Sequence, residues 1–333
     1  MTGEAARLDE ATLPDYLRRL GLVQPGERVA VEPAGDGNIN WVRRARSGAR
    51  SWIVKQARPA LERFPEYRVT TDRILFEARW LEQVRPLDAE GVCPGVVRFD
   101  PEARVLVLED LGRAPRLDHL LARSPDAGTA AAGRLARFLG GVHAATTDPA
   151  LAARFENDEM RRLHGEHIFV LPFRPNDFPL PAALRARAEE IWWDGETAAI
   201  ADAAYRRYLE PRGALVHGDV QAGNVLIGPA GAVLLDAEIA HVGDPAFDLG
   251  TLLAHLRIPA VARGKPADAS PAVEAAWRAY AAASGAEPTR RADAERYAAL
   301  EMLRRVLGAA RVEVAPEAGL ALVDHALRAL RGR

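Results

Sequence analysis

The spacing of hydrophobic residues changes once along this chain. Up to about residue 110, short apolar runs bounded by glycine and polar clusters read as strands; beyond it, apolar positions recur at three and four, as on a helix face. VAVEPAGDGNINWVRRA predicts a strand, a glycine turn and a second strand, and SWIVKQ a third. VVRFD and RVLVLED predict two more. A helix is expected over 12–20, with Thr12 as its N-cap and Gly21 as its stop. A second is expected from about Asp72 to Val84, with Ile74, Ala78 and Leu81 on one stripe. Strands around that helix make a small α+β lobe.

Past Asp110–Pro115 helices are expected in LDHLLAR, at about 129–145, at about 182–209 and, with breaks, over 272–333. VLIGPAGAVLLD departs from this pattern as two short β-branched runs around a Gly-Pro-Ala-Gly turn, a hairpin in a helical lobe. Residues 155–181 fit neither period and read as a lid or substrate loop. The expected architecture is α+β and bilobal: a β-rich N-lobe over 1–110 and a larger, mostly helical C-lobe over 111–333.

Composition narrows the function classes. A length of 333 residues suits two lobes rather than one small core. With 44 basic and 46 acidic side chains the net charge is −2, so no field draws the chain to nucleic acid or an anionic membrane. The longest apolar runs are short and interrupted, which predicts no transmembrane helix. MTGEAARLDE places acids where a secretory signal needs a basic end and an apolar run, so a cytoplasmic location is expected. Cys93 is the one cysteine, which excludes an intrachain disulfide and a cysteine metal cluster; it reads as a small buried hydrophobe. Of the 44 basic residues only Lys55 and Lys265 are lysines, leaving 42 arginines. In so arginine-biased a chain, a lysine ending the strand SWIVK marks a job that arginine does not do.

The chemistry concentrates in LVHGDVQAGNVLIGPAGAVLLDAEIAHVGDPAFDLG, residues 215–250. Asp219 and Asn224 stand five apart in a tight loop, and Asp236 follows Asp219 by 17 residues at the end of an apolar run. A carboxylate for a hydroxyl, with an amide and a second carboxylate to hold Mg²⁺, is the equipment that moves a phosphoryl group from ATP. Magnesium takes few protein oxygens and fills its shell from phosphates and water, so Asn224 and Asp236 suit it. A lysine facing ATP phosphates is best held by a carboxylate, and Glu77, on the stripe of Ile74, Ala78 and Leu81, is the candidate partner for Lys55.

Other features carry less. In AGDGNIN the residues Gly35, Gly37 and Asn38 would let backbone N–H groups approach phosphate oxygens, although a hairpin turn wants the same residues. The turn lacks the GKS/T ending of a Walker loop and no helix follows it, which argues against a Rossmann fingerprint. Backbone groups from Glu109 to Leu111, at a strand end by the lobe boundary, are placed to hydrogen-bond an adenine edge. Asp244, Asp248 and His217 read as scaffold, with Asp248 capping the helix that opens LGTLLAHL. His164 and His167 have a spacing that some metal sites share, but no carboxylate–histidine motif surrounds them.

HGDVQAGN, LLDAE and GDPAFDLG resemble the aminoglycoside phosphotransferase and choline kinase superfamily, small-molecule relatives of the eukaryotic-type protein kinases, and the resemblance spans nearly the whole chain. It implies a protein-kinase-like bilobal fold, with ATP and Mg²⁺ as cofactors. Asp219 would be the catalytic carboxylate, Asn224 and Asp236 the magnesium ligands, and Lys55 the ligand of the α/β-phosphates, paired with Glu77. Glu238, in DAE where protein kinases have DFG, belongs to the small-molecule branch and is expected on the acceptor side. Within the superfamily GDGNIN, IVKQA with a long connection to DRILFEA, and EMLRRVLGAARV resemble the 5-methylthioribose kinase family most. There an arginine pair contacts the sugar, which assigns that role to Arg304 and Arg305.

The expected acceptor is a small hydroxylated metabolite, with a methylthioribose-like sugar leading. Residues 290–333 carry nine arginines against six acids, which disfavours a polycationic aminoglycoside. Choline would want an aromatic cage, and Trp277, Tyr280 and Tyr297 make no obvious cluster in the sequence. An aminoglycoside or amino-alcohol acceptor is the first alternative and a regulatory pseudokinase the second. A serine or threonine protein kinase is disfavoured because no DFG, APE or activation segment follows Asp236. The sequence leaves the oligomeric state open.

Overall fold

In a computed structural model of the protein, the described residues are 7–35, 40–60, 68–124, 128–266 and 270–332. They form two compact units, one of residues 1–85 and 93–113 and one of residues 86–92 and 114–333.

The first unit begins with helix α1 (Leu13–Arg19). Its N-terminus corrects the capping expectation. Thr12 makes no cap of its own; Asp9 Oδ1 accepts the Ala11 and Thr12 N–H groups at 3.0 and 2.7 Å, while Thr12 Oγ1 accepts the Asp9 N–H at 2.9 Å. The two side chains thus exchange roles as in a capping box, because an aspartate three residues upstream reaches the orphan amides better than Thr12 itself. Gly21 stops the helix at φ +72°.

Strands β1 (Ala30–Pro33), β2 (Trp41–Ser47) and β3 (Arg50–Gln56) precede helix α2 (Arg73–Val84), and β4 (Val96–Asp100) and β5 (Val105–Glu109) complete an antiparallel sheet of order β1-β2-β3-β5-β4. Alternation along β3 decides which side chains go where. Trp52 and Val54 join Trp41, Ala45, Val105 and Val107 in a core that packs on Leu13, Tyr16 and Leu17 of α1. Lys55, opposite Val42 and Leu106, therefore projects from the other face.

The second unit is mostly helical: α3 (Leu117–Arg123), α4 (Thr129–Ala145), α5 (Leu151–Arg154), α6 (Asp158–Phe169), α7 (Ala182–Trp192) and α8 (Gly195–Tyr208) come first. Strand β6 (Ala214–Val216) pairs with β9 (His241–Gly243), and between them lies the hairpin of β7 (Val225–Gly228) and β8 (Gly231–Leu234). Helices α9 (Ala246–Ala262), α10 (Pro271–Ser284), α11 (Pro288–Leu307) and α12 (Pro316–Leu330) follow.

Two expectations are corrected here. The single helix over 182–209 is two, because Asp194 is an N-cap whose carboxylate accepts the Glu196 and Thr197 N–H groups at 3.2 and 3.5 Å. The region read as a loop, 155–181, is largely α6 and a short 3-10 turn over Leu171–Phe173. Helix α6 buries Met160, Arg161, His164, Gly165, Ile168 and Phe169. An arginine, a histidine and a glycine on the inward stripe erase the hydrophobic period by which such a helix is recognised.

Candidate active site

The loop after β6 is fixed by its backbone. Gly218 has φ +85°, and a Cβ there would come within 2.6 Å of the Ile239 carbonyl oxygen, so glycine alone permits this approach. The His217 and Gly218 N–H groups donate to the Asp248 carboxylate at 2.7 and 2.9 Å. His143 Nε2 lies 3.2 Å from the same carboxylate. Burial works to raise the Asp248 pKa, but the hydrogen bond from His143 and the loop amides outweigh it and hold the group below the usual carboxylate range. Contrary to the expectation that it caps the helix, Asp248 therefore anchors the loop after β6. Helix α9 starts earlier, at Ala246, whose N–H donates to Asp244 Oδ1 at 3.0 Å. Counting from the apolar LGTLLAHL misplaced the start because Pro245-Ala246-Phe247 is already compatible with a first turn.

His217 is buried and neutral: desolvation lowers its pKa, its Nε2 donates to the Leu235 carbonyl at 3.1 Å, and its Nδ1 accepts the Asp219 N–H at 3.2 Å. The Asp219 side chain sits just beyond. Its Oδ2 accepts from Gln221 Nε2 at 2.9 Å and Asn224 Nδ2 at 2.8 Å. Its Oδ1 is buried and accepts no hydrogen bond among the described residues. Two amides thus orient one carboxylate oxygen and leave the other for something else.

The hairpin brings the cation-binding candidates to one place. Val225 pairs with Leu234, and the Leu235 N–H donates to the Asn224 carbonyl at 2.8 Å, so Asn224 and Asp236 flank the end of one ladder. Asp236 is exposed and adopts φ +66°, a left-handed conformation that aspartate tolerates better than most side chains. A carboxylate oxygen of Asp236 and one of Glu238 lie within 4.8 Å of each other. Because Asn224 Nδ2 is committed to Asp219, its amide oxygen is the atom available to a cation. An all-oxygen set with few protein ligands fits Mg²⁺. Glu238 is buried, and its carbonyl accepts Asn157 Nδ2 at 2.8 Å.

A cluster of buried charge also acts on Asp219. Arg304 is buried and grips Glu301 with two hydrogen bonds, at 2.7 and 2.8 Å, while His255 Nε2 lies 3.1 Å from the same carboxylate. Burial would raise the Glu301 pKa, yet Arg304 and His255 together hold it well below the usual range. Arg305 differs: its Nε is buried without a hydrogen-bond partner, and burial and the Arg304 charge push its pKa down against the pull of Glu301, Asp219 and Asp118. Both arginines are within electrostatic range of Asp219. The helix carrying them packs tightly on α9, for a Cβ at Gly250 would fall 2.6 Å from the Ala294 carbonyl oxygen and the Tyr297 Cβ. Glu301 and His255 were missed in the sequence because no local spacing joins them to Asp219; Gln221 went unremarked inside HGDVQAGN, and His164 stood out there only by its spacing to His167.

In the first unit, Lys55 Nζ lies 2.7 Å from Glu77 Oε2 and both side chains are buried. Gly35 has φ +71°, while Gly37 and Asn38 fall outside the described residues. The neighbouring Asn40 is buried and accepts from Arg73 at 2.7 Å. At the end of β5 the Glu109 N–H donates to the Gly95 carbonyl at 2.9 Å, so it is not a donor for an adenine. The half-buried Leu111 follows two residues on. No helix among the described residues is long and apolar enough to cross a membrane.

The chain is similar to methylthioribose kinases from Bacillus thuringiensis and Bacillus anthracis, at 28% identity over 269 residues, 77% of this chain and 67% of theirs. Its fold is that of a choline kinase from Streptococcus pneumoniae, with a TM-score of 0.54 at 17% identity over 97% of this chain and 99% of the other. A choline kinase from Cryptosporidium parvum gives 0.57 at 12% identity, over 97% and 94%. The α+β, protein-kinase-like fold and the superfamily named from the motifs both stand. The family model for the phosphotransferase enzyme family matches residues 30–300, and the chain belongs to that family, as an enzyme of the small-molecule kinase kind.

Proposed function

We propose that the chain moves the γ-phosphoryl group of ATP to a hydroxyl of a methylthioribose-like sugar, with Mg²⁺ as cofactor. The observation that carries this reading is Asp219, whose Oδ2 is held by Gln221 and Asn224 while its buried Oδ1 accepts no hydrogen bond among the described residues. That is the arrangement a base needs before substrate arrives. The acceptor O–H bond breaks as its proton passes to Asp219, the oxygen forms a bond to the γ-phosphorus, and the bond to the β,γ-bridging oxygen breaks to release ADP. The proton then returns to solvent.

Lys55, held by Glu77, is assigned to the α- and β-phosphates, and the backbone of Gly35, Gly37 and Asn38 to phosphate oxygens. The Glu109 carbonyl and the Leu111 N–H are assigned to the adenine edge. Asn224 and Asp236 would hold magnesium, which when bound neutralises phosphate charge. Glu238, expected on the acceptor side, has its carboxylate beside that of Asp236, which favours assigning it to the same ion. Arg305 is assigned to the acceptor and the transferring group, with Arg304 lending charge from its pair with Glu301. The similarity to methylthioribose kinases and the cationic character of this cluster support the sugar.

A screen for acceptor-stimulated ADP release, over methylthioribose, other pentoses, choline, ethanolamine and aminoglycosides, tests the assignment. Methylthioribose should stimulate most; stimulation by an aminoglycoside or amino alcohol alone would replace the sugar.

A further inference from the structure

Helix α6 contributes His164, which the reaction as written does not use. Its Nε2 lies 4.0 Å from Asp219 Oδ1, too long for a hydrogen bond. Asp219 Oδ1, which Nε2 approaches, is buried and has no hydrogen-bond partner among the described residues, and neither has the other ring nitrogen, Nδ1. The ring is held edge-on against Phe247, with centroids 6.0 Å apart, so it is not free to swing away. A buried carboxylate oxygen without a partner, facing an imidazole nitrogen across 4.0 Å, marks a place where one more atom belongs.

A single oxygen fits that gap. Placed about 2.7 Å from Oδ1 and about 2.9 Å from Nε2, it would see the two groups nearly at right angles, close to the angle between the O–H bond and a lone pair of an alcohol. We propose that His164 is an acceptor-positioning residue: its Nε2–H donates to the hydroxyl oxygen whose proton Asp219 takes. One lone pair of that oxygen receives the imidazole N–H, the hydrogen points at Asp219, and the second lone pair is turned to the phosphorus. His164 neither gains nor loses a proton.

The electrostatics agree with that neutral role. Burial, reinforced by the Arg304 charge, lowers the His164 pKa to about 4 despite the nearby Asp219, so the ring stays a neutral donor at physiological pH. A charged imidazolium would instead pair with Asp219 and oppose proton transfer. His167 and Arg304 flank the ring as further positive or potentially positive groups, and Glu301 is the nearby acid besides Asp219.

This inference rests on the kinase reading but not on the sugar. The test compares wild type, His164→Leu and His164→Gln, whose side-chain amide keeps an N–H near the Nε2 position. With methylthioribose, the leucine variant should show an acceptor KM raised about tenfold and the glutamine variant should recover most of the loss, while the KM for ATP stays within about twofold in both. Basal Mg·ATP hydrolysis, with water as the acceptor, gives the same comparison without a sugar and should fall about tenfold in the leucine variant alone. A leucine variant equal to wild type in both assays overturns the proposal. So does a glutamine variant as impaired as leucine with an unchanged melting temperature. Failure of wild type to use methylthioribose while still hydrolysing ATP would sink the sugar assignment and leave the His164 comparison readable.

Discussion

The two units each bury a cation against a carboxylate, but they do so differently. Lys55 and Glu77 lie 22 positions apart, on β3 and α2, and meet through a 2.7 Å contact that exists only while the helix packs on the sheet. Arg304 and Glu301 lie three apart on one helix and share two hydrogen bonds, with His255 bracing the carboxylate. The first is a point charge held by tertiary packing; the second is a planar fork set by local geometry. A pair of the first kind can be made and broken by moving an element, whereas one of the second kind is rigid whenever the helix is formed. On the proposed reading, the first suits an adjustable grip on phosphates and the second a fixed wall for the acceptor.

The comparison can be broken first at the group that serves neither pair. Asp219→Asn should lower kcat about 10³-fold with nucleotide binding unchanged, read by ADP release and by titration with a nucleotide analogue. Near-wild-type turnover would remove the proposed base. Lys55→Ala comes next, with kcat/KM for ATP down about 10²-fold and acceptor KM little changed. An equal loss on both substrates would erase the distinction between the pairs.

Glu301→Gln sharpens it. Leaving Arg304 buried without its acid should cost about 3–5 kcal/mol of stability, seen in chemical unfolding, and raise the acceptor KM rather than that of ATP. Arg305→Met should raise the acceptor KM about tenfold yet leave the melting temperature unchanged or higher, because the lost charge had no hydrogen-bonded acid at its Nε.

The smallest effect is with pH. Burial lowers the pKa of His164 to about 4 and that of His241 to about 3, from 6.5. Below 6.5 the unfolded chain takes up protons that the folded chain refuses, so stability should fall as pH drops from 6.5 toward 4 and stay flat above 7. Glu301 and Asp248, held low, add stability that is present above the ordinary carboxylate range and is lost at more acid pH. Melting curves between pH 8 and 5 check the first window; a melting temperature that rises on acidification contradicts it.

What the sequence disclosed follows from how each region is built. Asp219, Asn224 and Asp236 stand on one loop and one hairpin, so their spacing survives in the linear order. The strands of the first unit announced themselves by period two. The buried polar residues near Asp219 come from α6, α9 and α11, and no linear spacing links His164, His255 and Glu301 to Asp219. These polar residues also replace the apolar ones that would have marked those helices. Asp248 was visible only as an aspartate near a helix start; that it reaches back some 30 positions to the loop amides is a fact of tertiary structure.

Gly250 has a consequence for how such an enzyme changes. It touches no reacting group, yet the missing side chain lets two helices come near enough for backbone to meet backbone. A methyl group there would fall 2.6 Å from atoms of Ala294 and Tyr297, so one of the two helices would have to shift. The position of the arginine-bearing helix therefore depends on a residue that has no side chain at all.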